Sequence, residues 1–201
     1  MAEAEDVLTD IARHATIYAR NLWQRHRPPE KESRLVLSDI VQRLELFIHS
    51  ACGMHFTIRT AQPPAPPTLL ARVFRQSPAP WCTQALPATD GHRIWLPACA
   101  PQTDNDQAQQ WFRVLTLQQA MRARRNSSAY LAQLPHPVAR DVFLLIEGFS
   151  VDEDIAQQFP GMRDALFTLR RTALQQRPPL SAFSTARQPL EIFYRRLLEQ
   201  P

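Results

Sequence analysis

The chain has 201 residues, 44% hydrophobic and 21% charged, so it is long and apolar enough to bury a core and is typical of a globular protein. Its formal net charge is +4 and its pI about 9.4, an excess too small to indicate nucleic-acid binding by itself. It contains neither G-x-x-x-x-G-K-[ST] nor G-x-G-x-x-G, which excludes the nucleotide sites that those loops build.

The N-terminal segment predicts an amphipathic helix and a cytoplasmic protein. Residues 3–25 carry apolar side chains at helical spacing, and the RPP sequence of residues 27–29 ends the pattern. The opening MAEAEDVLTD is acidic and lacks the apolar region of a signal peptide, and no apolar run reaches the ~20 residues that span a bilayer. Three cysteines without metal-ligand spacing fit a reducing compartment.

A proline-rich irregular segment is predicted at about residues 61–101. Residues 68–75 fit either a short helix or a short strand. Asp90-Gly91 is a turn signal, and residues 93–96 alternate polar and apolar side chains as a half-buried strand does. A further short strand is expected at residues 55–58.

Most of the remaining chain predicts helices. The first of these runs from an N-cap at Ser38 to a stop at Gly53, and apolar spacing predicts others at residues 104–125, 127–134 and 138–149. In the helix at 138–149, Val142, Leu145 and Ile146 are expected to point inward. A Ser150-x-x-Glu153 capping box predicts the start of a short helix that ends before Pro160-Gly161, and two more helices are predicted at residues 162–176 and after Pro189. We therefore expect a mainly α fold, one helical domain over residues 1–201 with two or three short β-strands.

The helix predicted at residues 104–125 can be compared with the metal-binding helix of a zinc protease. A zinc-protease helix carries His-Glu-x-x-His, with two ligands on one face and a general base between them. The corresponding positions here read Gln118-Gln119-Ala120-Met121-Arg122, in which a glutamine amide is a poor zinc ligand and an arginine repels the cation. The helix is interpreted as an amphipathic scaffold with exposed glutamines, and as an alternative as the core of a degenerate, zincin-like metallohydrolase.

Two charged groups have both a structural and a functional interpretation. The acidic group could hold a hard cation, but carboxylates in a first helical turn more often complement the helix dipole. The arginines that close the 104–125 helix suit the dipole at its C-terminal end, or provide a surface for an acidic partner or phosphate. The acidic residues are Asp141, Glu147, Asp152, Glu153 and Asp154, and the arginines are Arg122, Arg124 and Arg125.

Several stretches together resemble the N-terminal region of the NorD/CbbO family. They include ARHATIYARNLWQRHR, RTAQPPAPPTLLARVFR, ALPATDGHRIWLPA and WFRVLTLQQAMRARR, followed by most of residues 141–183. The Thr-Asp-Gly turn with its following Ile-x-Leu-Pro, and the spacing from Leu-Ile-Glu to Pro-Gly, carry most of the resemblance. These motifs are not catalytic signatures.

The resemblance implies a non-catalytic adaptor that docks on a MoxR-type AAA+ ATPase ring. The ATP and magnesium would be bound by that CbbQ-like partner, with no cofactor or metal in this chain, no nucleic acid and no membrane insertion. The client would be rubisco, freed of inhibitory sugar phosphates, or alternatively nitric oxide reductase. No Asp-x-Ser-x-Ser occurs, so the family's C-terminal von Willebrand factor A domain is expected to be absent. The expected partner-binding residues are Arg122, Arg124, Arg125, Asp90, His92 and Trp95.

Overall fold

The computed structural model describes residues 34–63 and 85–200, which contain six α-helices and three β-strands. The helices are α1 (Leu37–Cys52), α2 (Asn105–Arg124), α3 (Ser127–Gln133), α4 (Pro137–Gln158), α5 (Arg163–Gln175) and α6 (Gln188–Glu199), and the strands are β1 (Thr57–Thr60), β2 (Ala88–Thr89) and β3 (Arg93–Leu96). The predicted mainly α fold with a few short strands is confirmed. The predicted helix at residues 3–25 and the segment 68–75 lie outside the described residues. None of the described helices has the length and apolar character needed to cross a bilayer.

The three strands form one small mixed sheet in the order β1-β3-β2. Strand β1 runs parallel to β3, and β2 runs antiparallel to it. Because side chains alternate along a strand, Ile58, Ile94 and Leu96 lie on one face, where all three are buried with the side chains of α1 and α2. Glu45 of α1 ties the helix to the sheet, since its carboxylate accepts a 2.9 Å hydrogen bond from the backbone N–H of Ile58.

Helix α2 is enclosed on several sides. Phe112, Val114 and Leu117 are 0% exposed, and consecutive buried residues in a helix cannot all lie on one stripe. One side packs on α1 and the sheet, and other sides meet α4 and α5. The core therefore lies around α2, and polar side chains of α2 that point towards α4 are buried as well.

Helix α4 corrects the prediction of two separate helices. The predicted break at Ser150 does not occur, because Ser150 lies inside one continuous helix and its hydroxyl accepts a hydrogen bond from Arg125. The capping-box assignment was therefore wrong. Ile146 was expected to point inward but is 53% exposed, since it lies nine residues before the buried Ile155 and hence on the opposite side of the helix.

The structure confirms the predicted C-terminal end of α1 but not its predicted N-terminal end. Val36, not Ser38, occupies the N-cap position, and the Ser38 hydroxyl bonds to the neighbouring Asp39 carboxylate instead. Gly53 ends the helix as predicted, with a left-handed φ of 69° and its N–H bonded to the His49 carbonyl. The strand expected at residues 55–58 begins two residues later.

Candidate functional site

Three helices meet at a buried, charge-paired group of side chains, which we name the Asp152 cluster: Gln118, Arg122, Asp152 and Arg170. The Gln118 side-chain N–H donates to Asp152 Oδ1 at 2.6 Å, and Arg170 Nε donates to Asp152 Oδ2 at 3.0 Å. Arg170 also donates to Glu153 at 3.1 Å. The side chains of Asp152 and Arg170 are only 10% and 7% exposed. The cluster therefore fixes α2, α4 and α5 to one another.

Arg122 follows Gln118 by one helical turn and points at the same carboxylate. Burial lowers the pKa of Arg122, and the negative charges of Asp152 and Glu147 act against that shift. Its Nε is enclosed without a hydrogen-bond partner. Gly148 makes room for the guanidinium, since a Cβ there would lie 3.1 Å from Nη2. A cation at this position of α2 repels a divalent metal.

The carboxyl group of Asp152 experiences opposing influences. Burial raises the pKa of Asp152 above its ordinary value, and the hydrogen bonds from Gln118 and Arg170 and the charges of Arg170 and Arg122 reduce that rise. A raised pKa is also found for catalytic carboxyl groups, and a catalytic role would need a nucleophile or a second acid–base group next to Asp152.

A cleft of about 480 Å³ adjoins the Asp152 cluster between α4 and α5. Among the described residues its lining contains no serine, threonine, cysteine, histidine or lysine, and two of its three carboxylates, Asp152 and Glu153, are bonded to Arg170. The cleft is lined by Asp152, Glu153, Ala156, Gln157, Arg163, Asp164, Leu166, Phe167 and Arg170. Nothing in it forms a nucleophile–base pair.

The arginines that close α2 differ in their exposure. Arg125 donates to Glu147 at 3.2 Å and to the Ser150 hydroxyl at 3.0 Å, and it also pairs with Asp154. Its side chain is 28% exposed. Of the three arginines expected to contact a partner, only Arg124 is exposed. Arg122 and Arg125 are only partly exposed, because Arg122 lies against Gly148 of α4 and Arg125 is paired with carboxylates of that helix. Partner contact through the three arginines stays a prediction.

The predicted turn at Asp90-Gly91 is confirmed. Asp90 Oδ1 accepts hydrogen bonds from the backbone N–H groups of His92 at 2.8 Å and Arg93 at 2.7 Å, and these bonds lower the pKa of Asp90. Gly91 takes a left-handed φ of 95°. Asp90 therefore shapes the turn, His92 is exposed beside it, and Trp95 is half-buried on β3. Partner binding by Asp90, His92 and Trp95 stays a prediction.

The acidic side chains considered as cation ligands are instead paired with arginines. Asp152 and Glu153 contact Arg170, Glu147 and Asp154 contact Arg125, and Asp141 lies 3.7 Å from Arg187. In the part of the chain that the structure describes, no group of three His, Cys, Asp or Glu side chains is placed to hold a metal.

The sequence predicted that Gln118 and Gln119 of α2 are exposed, and this prediction was wrong. Gln119 is 1% exposed and its Oε1 has no hydrogen-bond partner, while Gln118 is half-buried on Asp152. The sequence does contain an indication that Gln119 is buried. Gln119 follows the apolar Phe112 and Leu115 by seven and four residues, which places all three on one face of the helix.

A second buried ion-paired group joins α6 to the segment that connects it to α5. Glu191 is 4% exposed; it accepts hydrogen bonds from Arg177 and from Arg195 Nε at 2.9 Å each, and a second Arg177 nitrogen contacts its other oxygen. The Arg177 guanidinium also lies 4.6 Å from the centroid of the Tyr194 ring. Sequence reasoning missed this group, because nothing in the spacing pairs residue 177 with residue 191.

The fold and the site together define a mainly α domain whose buried polar side chains link helices. No family model, curated protein or solved structure matches this chain significantly. Function must therefore be argued from the residues and from the resemblance described above.

Proposed function

We propose that this chain is a non-catalytic, cytoplasmic adaptor that docks on a CbbQ-like MoxR-type AAA+ ATPase ring and couples ATP-driven remodelling to a client enzyme. The observation that supports it is the Asp152 cluster. Where a metallohydrolase helix would hold two ligands and a base, α2 holds Gln118 bonded to Asp152, the enclosed Gln119, and the cation Arg122. This arrangement joins helices and leaves no activated nucleophile.

The client in this proposal is rubisco, activated by removal of inhibitory sugar phosphates. ATP and magnesium are bound by the ATPase, which supplies the work, so the adaptor needs only stable surfaces towards ring and client. Nitric oxide reductase is the other client that the NorD/CbbO resemblance offers. Binding of each purified enzyme to the adaptor–ATPase complex distinguishes the two.

The first test is co-purification of this chain with a CbbQ-like ATPase by size-exclusion chromatography, with and without ATP. We expect one peak containing both proteins in at least one nucleotide state. Arg124→Glu should weaken the complex if the exposed end of α2 contacts the ring. Arg196→Glu is the matched control, because Arg196 is 76% exposed at the C-terminal end of α6. Separate elution in every nucleotide state would contradict the proposal.

A further inference from the structure

The sheet has a second face that points away from α1 and α2. Because the parallel register pairs Thr57 with Arg93 and Arg59 with Trp95, these four side chains share one face, opposite to the buried isoleucines. Thr57, Arg59 and Arg93 are exposed, and Trp95 is half-buried. Ala88 of β2 pairs with Trp95 and is also exposed. We name these five residues the outer sheet face.

The two arginines of this face are the nearest same-face neighbours of Trp95 on β1 and on β3 itself. Arg59 is the direct neighbour of Trp95 across the parallel strands, about 4.8 Å away in backbone spacing. Arg93 precedes Trp95 by two residues on the same strand, which places it about 7 Å away. The result is a small face on which two arginines lie next to one tryptophan.

Neither arginine has a carboxylate partner within the described residues. The two carboxylates that adjoin the sheet are held by backbone N–H groups, Glu45 by Ile58 and Asp90 by His92 and Arg93. The ion pairs of the described residues include neither Arg59 nor Arg93.

Six other arginines of the described chain are paired with carboxylates. Ion pairs with Asp or Glu occur at Arg125, Arg170, Arg177, Arg187, Arg195 and Arg196. All of these arginines lie in or after the end of α2, in the half of the chain that forms α3 to α6 and their connections. The outer sheet face thus carries two arginines that no ion pair among the described residues neutralises.

We propose that the outer sheet face binds an acidic segment of a partner protein, in which two carboxylates flank an apolar side chain. Guanidinium groups bind carboxylates through paired N–H donors, and the neighbouring indole offers apolar area to the central residue. Single-stranded nucleic acid is disfavoured because it is held by several aromatic side chains that stack successive bases, whereas Trp95 is the one aromatic residue of this face. The choice of a protein partner rests on the proposed adaptor function.

The test measures binding of a fluorescein-labelled peptide, Glu5-Leu-Glu5, to the full chain by fluorescence anisotropy at low salt. We expect the double variant R59Q/R93Q to bind about tenfold more weakly than the wild type, since two charge-assisted contacts are lost. The control R171Q/R196Q removes two exposed arginines from α5 and α6 and should leave the affinity within about twofold, which keeps net charge matched. Trp95→Thr should weaken binding with no change of charge, and circular dichroism checks that each variant is folded.

The inference is overturned if the wild type does not bind the peptide, or if R59Q/R93Q binds as tightly as the wild type. It is also overturned if a ten-nucleotide oligo-dT competes for the face more strongly than the peptide does. The peptide assay contains no ATPase, so it can succeed where the ATPase experiment fails. If the chain binds the peptide but forms no complex with the ATPase ring, the adaptor function is rejected and the peptide-binding site is kept. A ring complex that forms although the wild type does not bind the peptide keeps the adaptor function and rejects this site.

Discussion

Charged side chains that enter the interior of this protein are placed against opposite charges. Removing an ion from water costs several kcal/mol, and only close pairing with further hydrogen bonds compensates for it. Asp152 meets this need with two donors, whereas Arg122 keeps an enclosed Nε without a partner. The cluster is therefore better understood as fixing helix positions than as a large source of stability.

At the same scale, Glu191→Gln should change how stability depends on pH. Burial alone would raise the pKa of Glu191, but the hydrogen bonds and charges of Arg177 and Arg195 lower it below its ordinary 4.5. A lowered folded-state pKa contributes stability that is present above the unfolded value and lost as pH falls through the folded one. Urea unfolding at neutral pH should show a loss of about 2 kcal/mol in the variant.

The difference between Glu191→Gln and wild type should shrink below pH 4.5, where the unfolded carboxyl group is protonated. Glu199→Gln serves as control, because Glu199 pairs with the 76%-exposed Arg196 and should change stability little. A constant difference from neutral pH to well below that value would show that charge is not the cause.

At the scale of elements, local residues decide where some helices end and tertiary contacts decide where others continue. Gly53 ends α1 because glycine adopts the left-handed conformation without steric cost. At Ser150 the local capping pattern is overruled, since Arg125 takes the hydroxyl and the buried Val151 and Ile155 hold the next turn in the core.

Replacing Gly53 by alanine should destabilise the fold by about 1 kcal/mol, the cost of a left-handed conformation for a residue with a Cβ. Nothing lies within 4 Å of the added methyl group, so steric contact adds no cost. The melting temperature should fall by about 3 °C. Gly161→Ala is the matched control: it has the same open surroundings without a left-handed φ, and an equal loss there would contradict the explanation.

At the scale of the whole molecule, one apolar core joins α1, the sheet and α2 to α4 and α5, whereas the ion pairs that join described residues to one another lie from Arg125 onward. From α1 to α2 the contacts are apolar, with the isoleucines of the sheet packed on both helices. From α3 to α6 each described ion pair joins an arginine to Asp or Glu, and many large apolar side chains stay exposed, among them Leu144, Ile146, Phe167, Ile192 and Phe193.

Elemental analysis of the purified, untagged chain tests the metallohydrolase alternative at this scale. We expect less than about a tenth of an equivalent of zinc, because structural and catalytic zinc sites need three or four protein ligands and the described residues bring no three together. A full equivalent that survives dialysis against a weak chelator would reject the adaptor proposal in favour of that alternative.

The sequence by itself determined the fold class and most helix positions, because apolar spacing, Gly53 and the Asp90 turn act within a few residues. Tertiary structure alone decided which polar side chains are buried and paired. Gln118 and Asp152 are 34 residues apart, and Arg177 and Glu191 are 14 apart, so no local pattern links them. The outer sheet face likewise depends on the parallel register of β1 and β3, which brings Arg59 beside Trp95 only after the chain has folded.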